Sequence, residues 1–338
     1  MDPLVRVPNR RCPSLVLIIA LAVFTPPCAG SGFAAETIEG EVLAANAPIA
    51  KSTITLWSPS ADAPKQLAQA QSSDDGHFSL SFEGPNSGPT VLYIIAKGGE
   101  PKAHKGGDNP AIAMLSVIGS TPPTHLTINE FTTVASVWTN AQFLEGGALR
   151  GAPLGLKIAA GNVSSFVDLQ TGGWGATIQD SLNSSQTPTM ANFATIADVL
   201  SGCVVRVTAD ACQKLFAAST PPKGAPPADT LTAAAAIARY PWYQPKQLFA
   251  LVAEFYPISP ANHMRKVPFM PYLSFPPSAW VLPLRFDGGG YRAGGKAMFD
   301  SEGNLWVGDN FTMDGRDRIR CGRATQPSST RMATRSRL

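Results

Sequence analysis

Phe78, Leu80 and Phe82 alternate with His77, Ser79 and Ser81, so one face of this segment is apolar and the other polar. A period of two predicts a half-buried β-strand. The same alternation at Ile54 and Leu56, with apolar runs at 37–43, 91–96 and 112–118, predicts five strands between residues 36 and 120. Asp74-Asp-Gly76 supplies a turn before the third strand, and Gly84-Pro-Asn-Ser-Gly-Pro89 breaks the chain after it. The expected product is an N-terminal antiparallel β-sandwich.

After Thr121-Pro-Pro123 the period changes. Thr127-Ile-Asn-Glu130 has capping-box spacing, with Thr127 as the expected cap and Glu130 three residues later. Phe131, Val134, Ala135, Trp138 and Ala141 then recur at helical spacing and form one apolar stripe that ends before Gly146-Gly147. An aromatic residue on such a stripe reads as core, so Trp138 is expected to be buried. Further helices are predicted at 189–200, 210–218, 229–239 with Asp229 as cap, and 244–254. Residues 121–256 are therefore expected to form an all-α middle domain. A Pro- and Gly-rich linker follows at 257–290. Two short apolar runs around Ser301-Glu-Gly-Asn304 predict a hairpin within 291–312. From 313 to 338 periodicity is lost and seven Arg stand among Ser and Thr, the composition of a disordered basic tail. The fold class is multidomain, β plus α.

The chain has 338 residues, of which 44% are hydrophobic and 15% charged, enough for two or more ordinary cores. Its net charge of +3 divides unevenly. Three Arg against one Asp in residues 1–35, and seven Arg against two Asp from 313 onward, leave 17 basic and 21 acidic residues in the body. A structured basic patch for nucleic acid is thus not expected. Residues 1–35 have the parts of an export signal: Arg6, Arg10 and Arg11, an apolar run at 14–24, and small residues around an expected cut after Ala34, with Gly30 as a competing position. The apolar run is short for a bilayer span, so the membrane enters only through an uncleaved signal. Lipidation at Cys28 lacks the residues expected before it.

Of five cysteines, Cys12 and Cys28 lie in the leader and Cys321 in the tail, which leaves Cys203 and Cys212. An exported chain lives where disulfides persist, and a Cys203–Cys212 bridge would clamp a helix–loop–helix corner. Metal ligation at this pair lacks further ligands, since His77, His104, His125 and His263 have no metal-ligand spacing to one another. No Gly-x-Ser-x-Gly elbow, phosphate loop or zinc-binding helix occurs. Asp287-Gly-Gly-Gly290 has no following Lys and reads as a flexible junction. Asn162, Asn183 and Asn310 fit the glycosylation acceptor pattern and are expected to have no functional role. The expectation is no catalytic residue, no cofactor and no metal.

Gly40-x-Val42, Ala47-Pro-Ile-Ala50 with the Thr-Ile-Thr-Leu strand behind it, and Asp75-Gly-His-Phe78 resemble the carboxypeptidase-regulatory-like or transthyretin-like β-sandwich over residues 36–118. That resemblance implies a spacer or adhesion module. Further along, 127–135 with Ala141-Gln-Phe143, then Cys203 and Cys212, 215–222, Asp229-Thr-Leu231, Ile237-Ala-Arg239 and Leu248-Phe-Ala250 resemble exported bacterial proteins that end in an NHL or streptogramin-lyase-like propeller. Within the same resemblance, 297–307 looks like the first strand pair of a blade. Such propellers need several repeats of about 40–50 residues. The 26 residues after Thr312 continue no such repeat, so a truncated or frameshifted product is expected. The implied function is an exported, periplasmic or extracellular, non-enzymatic binding or scaffold protein, its partner an unidentified envelope ligand or protein. The alternative is the remnant of a streptogramin-lyase-like enzyme acting on macrocyclic lactones, with its catalytic blades missing.

Overall fold

The computed structural model describes residues 36–83, 91–104, 106–286, 294–309 and 329–331. The expected leader with Cys12 and Cys28, the break at 84–89, the junction at 287–290, Asn310 and most of the tail, including Cys321, lie outside the described residues. The first strands are β1 (Glu36–Ala44), β2 (Ala47–Ala50), β3 (Thr53–Ser58), β4 (Lys65–Gln71), β5 (His77–Phe82), β6 (Leu92–Lys97), β7 (Glu100–Pro101), β8 (Ala113–Gly119) and β9 (His125–Ile128). One sheet has the order β5-β1-β2-β7 and a second the order β4-β3-β6-β8. These pairings are antiparallel, except that β9 lies parallel to β1 with Leu126 opposite Gly40. A Cβ at Gly40 would sit 2.1 Å from Leu126 O, so the close approach of β9 requires glycine there.

Ile38, Val42, Ile54, Leu56, Leu80, Ile94 and Met114 belong to one apolar cluster fed by both sheets. Strand β5 alternates exposed and buried residues, as its sequence predicts. Strands β6 and β8 are buried at almost every position. Their even-numbered apolar residues, Leu92, Ile94, Met114 and Ile118, enter that first core, while Tyr93, Ile95, Leu115 and Val117 enter a second core made with the helices. A strand covered on both faces has no polar alternation, which explains the continuous apolar runs at 91–96 and 112–118.

The covering helices are α1 (Glu130–Asn140), α2 (Pro153–Gly161), α3 (Val163–Phe166), α4 (Ala176–Gln179), α5 (Ser181–Ser184), α6 (Thr189–Val204), α7 (Ala211–Ala218), α8 (Thr230–Arg239) and α9 (Pro245–Phe255). Helix α1 starts two residues beyond the expected Thr127 cap. Thr127 is still in β9, and Asn129 is the cap: its Oδ1 accepts from Thr132 N at 2.9 Å, and Thr132 Oγ1 accepts from Asn129 N at 2.9 Å. Pairing with β1 holds the chain extended through Ile128, so strand geometry overrides the earlier capping signal. Asp229 caps α8 as predicted, accepting from Thr232 N at 2.7 Å. Gly146 and Gly147, both at positive φ, turn a minimal hairpin of β10 (Leu144–Glu145) and β11 (Ala148–Leu149) rather than simply ending the helix.

Strand β8 is the last strand of its sheet, and its outward amides meet helices instead of another strand. Ala113 N donates to Thr230 Oγ1 at 2.9 Å, Leu115 N to Thr133 Oγ1 at 3.2 Å and Val117 N to Ser136 Oγ at 2.9 Å. Buried backbone groups need partners, and hydroxyls from α8 and α1 supply them. Packing is therefore continuous across the expected boundary at residue 120. β9 completes the first sheet, the helices share a core with β6 and β8, and the described residues cluster as one unit.

Residues 257–286, within the expected Pro- and Gly-rich linker, are an extended strap packed on the helices. Trp280 is 1% exposed and Phe269 7%. The strap runs antiparallel to α6 and is held by polar side chains spaced three apart on that helix. Asp198 Oδ1 accepts from Phe269 N at 3.0 Å, Thr195 Oγ1 accepts from Leu273 N at 2.8 Å, Asn192 Nδ2 donates to Val281 O at 3.2 Å, and Thr189 Oγ1 donates to Pro283 O at 2.7 Å. Beyond it, β12 (Gly294–Phe299) and β13 (Leu305–Asp309) form the predicted hairpin. In its turn, Asp300 Oδ2 accepts from Trp306 Nε1 and Asn304 Nδ2, both at 2.8 Å, and these donors hold the half-buried carboxyl down at about 2. From the segment expected to be wholly disordered, β14 (Ser329–Arg331) pairs with β13 as a third strand.

Candidate functional site

Helix α1 carries its apolar stripe into the second core through Phe131, Val134 and Ala135, but Trp138, expected in that core, is only half-buried. Its indole Nε1 donates to Trp280 O at 2.9 Å, which fixes the strap against the end of the helix. The strap turns away there and leaves a groove of about 490 Å³. Trp138, Phe166, Trp280 and Phe286 supply aromatic walls, and the polar side chains among the described lining residues are Thr139 and Asn162. Both are engaged locally: Thr139 Oγ1 donates to Ala135 O at 2.7 Å and Asn162 Nδ2 to Ile158 O at 2.9 Å. Among the described residues no charged side chain lines the groove. Its volume lies in the range of small-molecule sites, and its chemistry suits an uncharged, largely apolar ligand.

A second polar feature lies under the same strap. Glu130, the first residue of α1, is 1% exposed, and its Oε1 accepts from Ala45 N at 3.1 Å in the turn between β1 and β2. Asp198 and Ser201 on α6 are fully buried, and Tyr256 at the end of α9 donates its hydroxyl to Asp198 O at 3.0 Å. Burial pushes the Glu130 carboxyl up to about 7, against the pull of the Glu130 and Ala45 amides. Burial likewise pushes Asp198 up to about 8, opposed by the Phe269 amide and reinforced by the charge of Glu130. The Tyr256 hydroxyl is raised by burial and by Asp198 beside it. Ser201 lies near enough to favour an ionised Glu130, yet its hydroxyl completes no hydrogen bond of acceptable geometry.

Cys203 in the last turn of α6 and Cys212 in the first turn of α7 are joined by a disulfide, with Cα atoms 4.4 Å apart. The histidines are scattered: His77 is exposed on β5, His104 and His263 are exposed in loops and His125 lies on β9. Among the described residues no three His, Cys, Asp or Glu side chains gather where a metal could sit. Asn183, of the acceptor motif, is fully buried and holds the strap, donating to Arg285 O at 3.0 Å and accepting from Arg285 N at 2.7 Å. Sequence reasoning gave Glu130 a capping role and missed Asp198 and Trp280. The signal for Asp198 was present, a lone acid inside the apolar run of residues 193–200, whereas Trp280 lay in a stretch whose prolines read as linker.

Among the described residues no helix is long and apolar enough to cross a membrane. No protein-family profile matches the chain, and no curated protein matches it. Among solved structures it is similar to a 9R-lipoxygenase from Cyanothece PCC8801 at 12% identity over 28% of this chain and 15% of that one, with a TM-score of 0.19, a likeness too slight to carry fold or function.

Proposed function

We propose that this is an exported, non-enzymatic binding or scaffold protein and that the groove between α1, α3 and the strap receives its ligand. The observation that carries this reading is the uncharged aromatic lining of Trp138, Phe166, Trp280 and Phe286 around a space of about 490 Å³. Two facing sheets with a shared core support reading residues 36–120 as a carboxypeptidase-regulatory-like β-sandwich that acts as a spacer. The β12–β13 hairpin with its Asp300–Trp306 bond supports reading 291–312 as the first strand pair of an NHL-like blade. The Cys203–Cys212 disulfide supports a periplasmic or extracellular location, where such bonds persist. The lyase alternative draws on no residue described above.

Binding of the uncharged dye Nile red to the purified full chain tests the groove. The expected result is saturable one-to-one binding that Phe286→Ala weakens about tenfold, the effect of one lost aromatic anchor. Phe286 is 42% exposed, so its truncation leaves the core intact. Binding indifferent to Phe286→Ala removes the groove from consideration. Turnover of a macrocyclic lactone above a heat-inactivated control refutes the non-enzymatic reading.

A further inference from the structure

The polar row on α6 ends where hydrogen-bond donors run short. Thr189, Asn192, Thr195 and Asp198 each hold the strap, and Ser201 is the next residue in the row. Around it three buried oxygens have no partner: Glu130 Oε2, Asp198 Oδ2 and Ser201 Oγ. Buried polar atoms are nearly always paired, so three orphans in one place call for an explanation. An ionised carboxylate only accepts hydrogen bonds. Two of them here would offer four oxygens to the amides of Ala45, Phe269 and Glu130 itself, with the hydroxyl of Ser201 as the remaining nearby donor. As carboxylic acids they bring two O–H donors of their own, and the orphaned acceptors gain partners.

Among the described residues the surroundings bring one charged group, the Arg265 guanidinium, and it is bonded to a backbone carbonyl and to neither carboxyl. Helix α1 contributes Glu130, α6 contributes Asp198, and the end of α9 contributes Tyr256, a neutral donor to a backbone carbonyl. The β1–β2 turn contributes the Ala45 amide and no charged group. The strap contributes the Phe269 amide and Arg265, whose guanidinium is bonded to Tyr256 O at 2.6 Å. Neither carboxyl takes part in an ion pair among the described residues.

We propose that Glu130 and Asp198 form a proton-held latch: as neutral acids they keep the β1–β2 turn and the strap seated on α6, and their ionisation, with release of two protons to solvent, loosens the strap. A pair of buried, mutually repelling carboxylates must recruit water, and the nearest removable cover is the strap at Phe269. Because the same strap supplies Trp280 and Phe286, the latch also sets the groove wall; that extension rests on the groove being the ligand site, while the latch itself does not.

Urea unfolding of the full chain between pH 5 and 8.5, together with hydrogen exchange at the Leu273 and Trp280 amides, tests the latch. The comparison set is the wild type, Glu130→Gln, Asp198→Asn and the double variant. Two protons bound more tightly when folded make the wild-type unfolding constant rise about 100-fold per pH unit relative to the double variant between pH 5 and 7, and about tenfold per unit relative to each single variant. Protection of the Leu273 and Trp280 amides, measured relative to the intrinsic base-catalysed exchange rate, is expected to fall over the same interval in the wild type alone. A wild-type slope equal to that of the double variant overturns the proposal. If the variants do not fold, a carboxyl-carbon NMR titration of the wild type decides: midpoints above pH 6 for both side chains sustain the latch, and midpoints near 4 end it. Nile red separates the two readings. Absence of dye binding at pH 6 sinks the groove and leaves the latch to its slope, whereas dye held at pH 6 and lost at pH 8.5 joins them.

Discussion

A single methyl group is more than helix α6 can take at Gly202. A Cβ there would lie 2.2 Å from Cδ2 of Phe255, a ring itself buried where α9 crosses α6. Alanine favours a helix over glycine by about 1 kcal/mol, but overpacking a rigid core typically costs about 1–3 kcal/mol. Gly202→Ala is therefore expected to destabilise by up to about 2 kcal/mol net, seen as a lower urea midpoint; a higher midpoint would show that Phe255 has room to move. The hydroxyls beside β8 make a second test. Thr133→Val keeps the side-chain shape and leaves Leu115 N–H buried without its acceptor, at a cost of about 1–3 kcal/mol. Neither residue could be singled out from the chain alone. Gly202 lies among other small residues, and the partner of Thr133 is settled by a strand some 18 positions earlier.

Among the elements, α6 carries the most information. The sequence predicts a helix over 189–200, and the burial of every residue from Asn192 to Val204 makes it the central one. The row Thr189, Asn192, Thr195, Asp198 was written in the sequence at a spacing of three, yet its meaning depended on a partner with no periodicity of its own. Residues 257–286 form no helix or longer strand, and their Pro content points away from order unless side chains such as those on α6 supply the bonds. Thr195→Val is expected to speed exchange of the Leu273 amide at least several-fold while leaving β6 protection unchanged. Equal acceleration in both would mean that the strap is not locally held. The disulfide belongs to this scale too. Cys203 and Cys212 are nine positions apart, and closing so short a loop contributes about 2–3 kcal/mol. Reduction should lower the urea midpoint accordingly, and no change on reduction would indicate that the α6–α7 corner is held by packing alone. Strand β4 escaped prediction because its Lys, Gln and Ala residues give an edge strand with no buried position.

For the whole molecule, acids pull in opposite directions with pH. Asp75, Glu100, Asp210 and Asp300 are held below the ordinary carboxylate range, chiefly by Ser73, Lys51, Thr208 and Trp306 respectively. Their contribution is present above about pH 4 and is lost as pH falls through the folded values. Buried Glu130 and Asp198 have the reverse sign: their contribution is full below about pH 4 and declines as pH rises toward 7 and 8. The thermal midpoint is therefore expected to peak on the acid side of neutrality, at about pH 4–6, and a maximum at pH 8 would contradict the sign assigned to the buried pair. The mixture of sheets and helices was legible at this scale from the switch between periods of two and about 3.6. The joining of those parts was not, because it rests on β9 entering the first sheet and on helices covering a sheet face that looked merely apolar.

Closing the margin of β8 with threonine and serine hydroxyls also governs how copies of this chain meet one another. Sheet margins recruit neighbouring molecules when their amides are bare. Here one margin is sealed from within, and the other belongs to β4, whose exposed Lys65, Gln66, Gln69 and Gln71 make it soluble and poorly adhesive. Copies should accordingly not pair through this sheet until α1 or α8 lifts away, and turbidity on heating should then follow the loss of helix without delay.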